Sequence, residues 1–505
     1  MSEVRREAGQ GLRHIVIVGG GTAGWMAATA LSRVLAGSAC RISLVESEAI
    51  GTVGVGEATI PSLPAFHSLL GVDEREFLRA TAATFKLAIR FRDWRRPGEA
   101  YYHPFGAYGI GVEHALFQAW WLAARQRGAA TPLEDWSASG LAAKRGRCGP
   151  ARGGEAQARM PLSYAYHLDA QLYARFLRAR AEAAGVTRIE GRVEHVDLDE
   201  RGHIRELRLA DGRRIAGEFF IDCSGFDGLL IARALGVSYI DWAQWLPCDR
   251  AIAAPSAATG ELPPFTDAIA HDAGWRWRIP LQSRFGNGYV YSSRFTSDEQ
   301  ARDALLAGIG APPLAEPRLL RFTPGRRAVA WRGNCLALGL AAGFLEPLES
   351  TGIHLIQTAL GRLFGLFPGR ETDAAVIEEY NRLTATEYER VRDFIILHYS
   401  AAGREDTPFW RHCRAQSLPE SLEYKRELYA ATGHVALYEG ETFLAPSWLA
   451  IFAGLQVWPA RHEPIVDILG FDTLRPRFET MHATLAAAAE ARPSHAAYLR
   501  SQVGE

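Results

Sequence analysis

The chain has 505 residues, 48% hydrophobic and 22% charged, with a formal net charge of -1. That length makes a sizeable core easy to bury and corresponds to about three average domains, or to one or two larger cofactor-binding units. The balanced charge, free of polybasic or acidic blocks, argues against nucleic acid and membrane surfaces as partners.

Six cysteines are scattered without a CxxC pair or metal-ligand spacing. Neither a disulfide framework nor a metal site is expected, and a reducing cytoplasm is the simplest setting. The first fourteen residues are charged and polar, and the IVIV run after them is too short for a signal-peptide core or a membrane span.

Residues 14 to 46 read as strand (HIVIV), glycine-rich turn (GGGTAG), helix and strand (RISLVES), one βαβ unit. Gly19-Gly20-Gly21-Thr22-Ala23-Gly24 fits GxGxxG between strand and helix, and Glu46 closes the next strand. Glycines there allow a tight turn and close backbone approach, the helix start faces a pyrophosphate, and the acid can bind ribose hydroxyls. A glycine-rich turn without a ligand is the plainer alternative, which this full context disfavours. The fingerprint serves FAD and NAD alike. FFIDCSG, a strand end, and NCLALG, a strand leading to a second helix start, favour FAD, because FAD-binding folds return chain to the cofactor at such places.

GTVGVGEATIPSLP carries too many glycines and prolines for a regular element and reads as an ordered excursion before a helix around 73–83. TFKLAIRFRDW alternates, with Phe85, Leu87, Ile89 and Phe91 on one face and Lys86, Ala88, Arg90 and Arg92 on the other, as a strand does. On that pattern alone Lys86 is a solvated lysine. Residues 144–156, rich in Gly and Arg, read as a mobile surface loop, a candidate lid or linker. Next come an amphipathic helix (168–186) and strands joined by a hairpin turn at Asp211-Gly212.

Trp275 and Trp277 lie at i and i+2 of a strand that stops at Pro280, on one face, either as core or as the lining of a ligand site. In FLEPLESTGIH, residues 344–354, Ser350 or Thr351 can cap the helix that follows, leaving two surface glutamates. The alternative is that the N-H groups of Thr351 and Gly352, with the helix dipole, hold a small anion or stabilise charge developing on a flavin. Beyond about residue 375 the sequence is mostly helical and aromatic.

GGGTAGW (19–25), GVGEATIPSL (54–63), TFKLAIRF (84–91), WRWRIP (275–280) and FLEPLESTGI (344–353) together resemble the flavin-dependent tryptophan halogenase family, in its order and at its approximate spacings. The resemblance implies an α/β fold, an FAD-binding unit like that of flavin monooxygenases. It has a Rossmann-type βαβ and a mixed sheet (1–375), with an insertion (92–160) reaching the substrate site, and a mainly helical substrate-covering region (376–505). It implies that reduced FAD and O2 give a C4a-hydroperoxide, that bound chloride or bromide attacks it, and that hypohalous acid travels through a tunnel to the substrate. A separate flavin reductase would supply FADH2. The other partners would be an aromatic small molecule and, as a homodimer, a second copy of the chain.

By motif, Lys86 matches the lysine that binds hypohalous acid or forms a haloamine, and Glu349 the catalytic glutamate. A cation and a carboxylate suit this chemistry, one donating to the leaving oxygen and the other accepting the ring proton. Thr351 and Gly352 match the halide site. Gly20, Thr22, Ala23, Ser47, Ile50, Ala58, Val193, Leu340 and Ile353 match FAD contacts, alongside Gly19, Gly21, Gly24 and Glu46 of the fingerprint. Trp275 and Trp277 would separate flavin from substrate, and 54–63 would form a strap between the two sites. His103 and Phe105 match rings that stack on an indole. The facing ring falls to either Phe443 or Trp448, and the clamp for an amino acid's polar end is missing. An indole or other electron-rich aromatic is therefore expected rather than free tryptophan, and a flavin-dependent hydroxylase or a non-catalytic flavin-binding module are the alternatives.

Overall fold

The computed structural model describes residues 11–49, 56–109, 114–129, 131–152 and 161–504. Strand His14–Val18 pairs in parallel with Arg41–Glu46 on one side and Phe219–Asp222 on the other. Thr187–Glu190 and Cys335–Ala337 extend this sheet in parallel, and Trp331–Arg332 closes it as an antiparallel edge. The central strands are apolar on both faces because the sheet is covered on both sides. Helix Thr22–Val34 buries Trp25, Met26 and Leu31 against one face, while Val16, Val45 and Phe220 pack with Leu207 and Leu230 on the other.

A second sheet of seven strands is mostly antiparallel and runs in the order 318–321, 250–257, 284–291, 274–280, 265–271, 88–92, 100–104. Its one parallel pair joins Phe265–His271 to Ala88–Arg92. One face shares a core with helix Ala374–Ser400 and the helices after it, through Trp94, Trp275, Phe394, Trp410 and Trp448. Among the described residues beyond 374, every strand-length or longer regular element is a helix.

A small sheet links the two. Ala165–Asp169 is its middle strand, flanked by Gly56–Ala58 and Thr84–Lys86, with Ala58 and Thr84 both opposite His167 and Lys86 opposite Ala165. TFKLAIRF is therefore two strands, broken at Leu87, whose N-H donates to the Pro264 carbonyl as the chain passes from one sheet to the other. The alternation holds, but both faces are covered.

The segment expected as a mobile loop is tied down where it is described. Arg147 Nη1 donates to the Arg492 carbonyl, and the N-H groups of Cys148 and Arg152 donate to Pro493 and Ala491. Hydrogen bonding to the turn between the last two helices, invisible to composition, overrides the loop signal, and 153–160 lie outside the described residues. The Asp211-Gly212 turn is a hairpin as expected, with Gly212 at φ 87. The six cysteines are unpaired thiols. Among the described residues no helix is long and apolar enough to cross a membrane.

Candidate active site

A cleft of about 1460 Å³ opens at the C-terminal ends of the parallel strands and runs to the second sheet. That exceeds the ~300–1,000 Å³ of sites for drug-sized ligands and suits a dinucleotide. Gly19, Gly20, Gly21, Thr22 and Ala23 line one end with Glu46 and Ser47. The turn is tight enough to need glycine. A Cβ on Gly19, whose φ is 111, would meet the Cys223 carbonyl at 2.2 Å, and one on Gly20 would meet Glu46 Oε2 at 1.4 Å. Gly24 lies beneath, against the Gly19 carbonyl, rather than on the cleft wall.

Glu46 is held by Arg188, whose Nε donates to Oε1 at 2.5 Å, and by Arg178 at 3.5 Å. Val193, Leu340, Ile353 and Ala58 also line the cleft, while Ile50 lies outside the described residues. Cys223, Ser224 and Gly225 arrive from the FFIDCSG strand end. Asp222 fixes that return by accepting from the N-H groups of Ser224, Leu230 and Ile231. These residues fit an FAD, with bare backbone at the turn and, beside it, a carboxylate of the kind that can accept from ribose hydroxyls.

At the far end Trp275 and Trp277 form the wall, on one face of strand Gly274–Pro280, with ring centroids 6.2 Å apart. Gly288 makes room for Trp277, since a Cβ there would lie 2.0 Å from its ring. Trp275 Nε1 donates to Glu346 Oε1 at 2.9 Å.

Lys86 does not line this cleft. Its side chain is completely buried, Nζ donating to the Thr59 carbonyl at 2.9 Å and to Ser350 Oγ at 2.8 Å, 5.0 Å from the Phe105 ring centre. The solvated lysine suggested by strand alternation is thus overturned, because the strap and the 344–354 segment cover that face. Burial pushes the amine down to about 7, partly opposed by Glu349, which favours the ammonium. Ser350 touches both compartments, since it lines the cleft and accepts from Lys86. It adopts φ 62, a left-handed conformation uncommon outside glycine.

The capping expectation is corrected as well. Thr351 stands at the N-cap of helix Gly352–Gly365 without a side-chain cap bond, and Ser350 is spent on Lys86. Thr351 is fully buried and its Oγ1 has no hydrogen-bond partner among the described residues. The first-turn N-H groups of a helix also lack intrahelical partners, so donors gather here where a small anion could sit. Gly352 lines the cleft, and Thr351 lies just behind it.

Neither glutamate is on the surface: Glu346 is 0% and Glu349 1% exposed. Glu349 accepts from His103 Nδ1 at 2.9 Å and lies 2.7 Å from His398 Nε2. Burial alone would raise it, but the two histidines outweigh burial and hold it down at about 2. Glu346 accepts from Tyr399 Oη at 2.5 Å and from Trp275, and burial pushes it up to about 7. Two carboxyls three residues apart are thereby shifted in opposite directions, Glu349 toward the ionised form and Glu346 toward the neutral one.

His103 and Phe105 are buried beside this centre, one on Glu349 and one under Lys86. Of the two candidates for the facing ring, Phe443 lies 6.3 Å from His103 and stacks on Phe394 at 4.0 Å. Trp448 is one layer back, its Nε1 donating to the Phe443 carbonyl and its ring covered by Lys425 at 3.8 Å. Sequence reasoning missed Ser350 as the lysine's acceptor, Glu57 in the cleft wall, which burial raises to about 7, and the pair His398 and Tyr399. A signal existed for the last two, because they follow Phe394–Leu397, a helix stretch apolar all round and so buried.

Known proteins resemble this chain over most of its length. The tryptophan halogenase family profile matches residues 14–470. The tryptophan 7-halogenase RebH of Lentzea aerocolonigenes is 39% identical, over 83% of this chain and 82% of its own. The tryptophan 6-halogenase SttH of Streptomyces toxytricini is 36% identical, over 90% and 91%. Among solved structures, BrvH, a flavin-dependent halogenase from Brevundimonas sp. BAL3, superposes with a TM-score of 0.92 at 45% identity, covering 97% of this chain and 99% of its own. Xcc4156, a flavin-dependent halogenase from Xanthomonas campestris, gives 0.93 at 47%, covering 97% and 98%. With its glycine turn, tryptophan wall and buried lysine in the places described, the chain belongs to the tryptophan halogenase family.

Proposed function

We propose that this chain is an FADH2-dependent halogenase that transfers chlorine or bromine to an electron-rich, indole-type aromatic, working in the cytoplasm with a separate flavin reductase. The observation that carries the reading is Lys86: a fully buried amine off the cleft wall, hydrogen-bonded to Ser350, which lines the cleft.

When bound, reduced FAD supplies the oxidising equivalent from O2 that makes the halide electrophilic. Gly19 to Ala23, Glu46, Ser47, Ala58, Val193, Leu340 and Ile353 would hold it. Thr351 and the N-H groups at the helix start would hold the halide. Trp275 and Trp277 would exclude the aromatic from the cleft, and Lys86 would receive hypohalous acid beyond them, its ammonium donating to the oxygen that leaves. Glu349 would accept the ring proton, with His103, Phe105 and Phe443 around the aromatic. The helical region 376–505 would cover this end.

Incubation with FAD, a flavin reductase, NADH, indole and either halide, read by mass spectrometry, should give halogenated product only when halide is added. Hydroxylated product without halide, or no product across a broad aromatic panel, would sink the reading.

A further inference from the structure

The two tryptophans of the wall are held by different means. Across the sheet Trp275 stands between Ala270 and Val290, and Trp277 between Ala268 and Gly288. The torsion that turns an indole about its Cβ–Cγ bond has broad wells, so surrounding contacts must choose the ring plane. Trp277 lies on Gly288, where no side chain competes for the space. Trp275 has no glycine opposite it and is tethered at its polar edge instead, Nε1 donating to Glu346 Oε1 at 2.9 Å. An indole nitrogen only donates, so the direction of this bond holds whatever the charge of the carboxyl. Tyr399 Oη is bonded to the same oxygen at 2.5 Å, and its ring is wedged by Trp94, Phe409 and Trp410. Glu346 is 0% exposed and stands off the cleft, and its Oε2 has no partner among the described residues. A buried carboxyl satisfied on one oxygen alone stabilises a fold poorly, which leaves orientation of Trp275 as what it contributes.

We propose that Glu346 is a positioning residue for the halogenation: through the Trp275 N-H it sets the indole plane of the wall, while Tyr399 of helix Ala374–Ser400 fixes the carboxyl itself. The role in the reaction rests on the halogenase reading; the setting of the ring does not. A wall tryptophan free to turn would weaken the separation of flavin from aromatic that the proposed function assigns to it. Part of the O2 would then leave as hydrogen peroxide, taking its electrons and protons from the reduced flavin, with no halide oxidised.

Indole N-H correlations of the full-length protein labelled with 15N-tryptophan, assigned with Trp275→Phe, test the tether directly. The Trp275 hydrogen should sit at a downfield, hydrogen-bonded position. It should stay there in Glu346→Gln, whose amide oxygen still accepts, and leave it in Glu346→Met, which offers only a weak acceptor. An unbonded Trp275 hydrogen in the wild-type chain would overturn the proposal by itself, whether or not Glu346→Met folds and whether or not halogenation is seen. In turnover the readout is coupling, the aryl halide formed per reduced flavin oxidised. It should fall about ten-fold in Glu346→Met, with the missing equivalents recovered as hydrogen peroxide and the KM for the aromatic little changed, and stay within about three-fold of wild type in Glu346→Gln. In a Trp275→Phe background Glu346→Met should cost no more than about two-fold, because the N-H it acts through is already gone. Unchanged coupling in Glu346→Met, or the same ten-fold loss without the Trp275 N-H, would equally overturn it. Because the NMR result needs no turnover, failure of the halogenase reading and failure of this proposal are separate outcomes.

Discussion

The two ends of the cleft are built in opposite ways. The glycine end is built around one continuous stretch, Gly19 to Glu46, with strand ends returning to it, and Arg188 and Glu46 are paired there at partial exposure. The lysine end is gathered from Lys86, His103, Glu349 and His398, far apart in sequence, and is dry throughout. At the first end backbone geometry carries the work and side chains assist. At the second, side-chain charges act in a low-dielectric setting where each partner matters more.

The largest break of that contrast is Lys86→Ala. Product should fall by about three orders of magnitude while flavin affinity changes less than about two-fold, since in the proposed function the lysine supplies charge at the reacting atoms, and it does not line the cleft. Halogenation assays paired with flavin fluorescence titration decide it; weakened flavin binding would merge the two ends into one.

The dry end should also leave a mark on stability in acid. Glu349 titrates at about 2 in the folded protein and near ~4.3 when unfolded, so between those values the native state binds fewer protons. Stability that is fully present above the unfolded value is lost as pH falls through this window, by about 3 kcal/mol if the group acts alone. Denaturant melts from pH 5 to 2 should show a shallower loss in Glu349→Gln than in the wild-type chain.

At the other end, Gly20→Val should weaken flavin binding about 30-fold or more, because its Cβ would sit on the Glu46 carboxylate. The fold should persist in circular dichroism. The smallest effect is expected for Glu346→Gln, under about three-fold in turnover, because burial already favours the neutral acid there. A loss as large as that of Glu349→Gln would erase the distinction between the two carboxyls.

The same contrast governs what could be read from the residues. Gly19–Gly24, Glu46 and the returning strand ends were legible because each constraint is local: a turn, a helix start, a strand end. Lys86 was legible only by resemblance. Alternation shows that two faces of a strand differ, not that Ala165–Asp169, the strap and Ser350 cover the polar one. Ser350 and Thr351 read as caps because the local rule is right about where the helix begins, but a buried amine competes for the serine hydroxyl. His398 carries no motif, and its meaning appears only when helix Ala374–Ser400 packs on the 344–354 segment.

The double grip of that helix has a consequence for building chimeras with relatives. His398 and Tyr399 hold Glu349 and Glu346 across the point where the helical C-terminal region begins. A crossover near residue 375 exchanges the gripping residues while keeping the loop they grip, so hybrids cut there should lose turnover even when both parents are active. The natural unit of exchange is residues 344–354 together with 374–400, moved as one block.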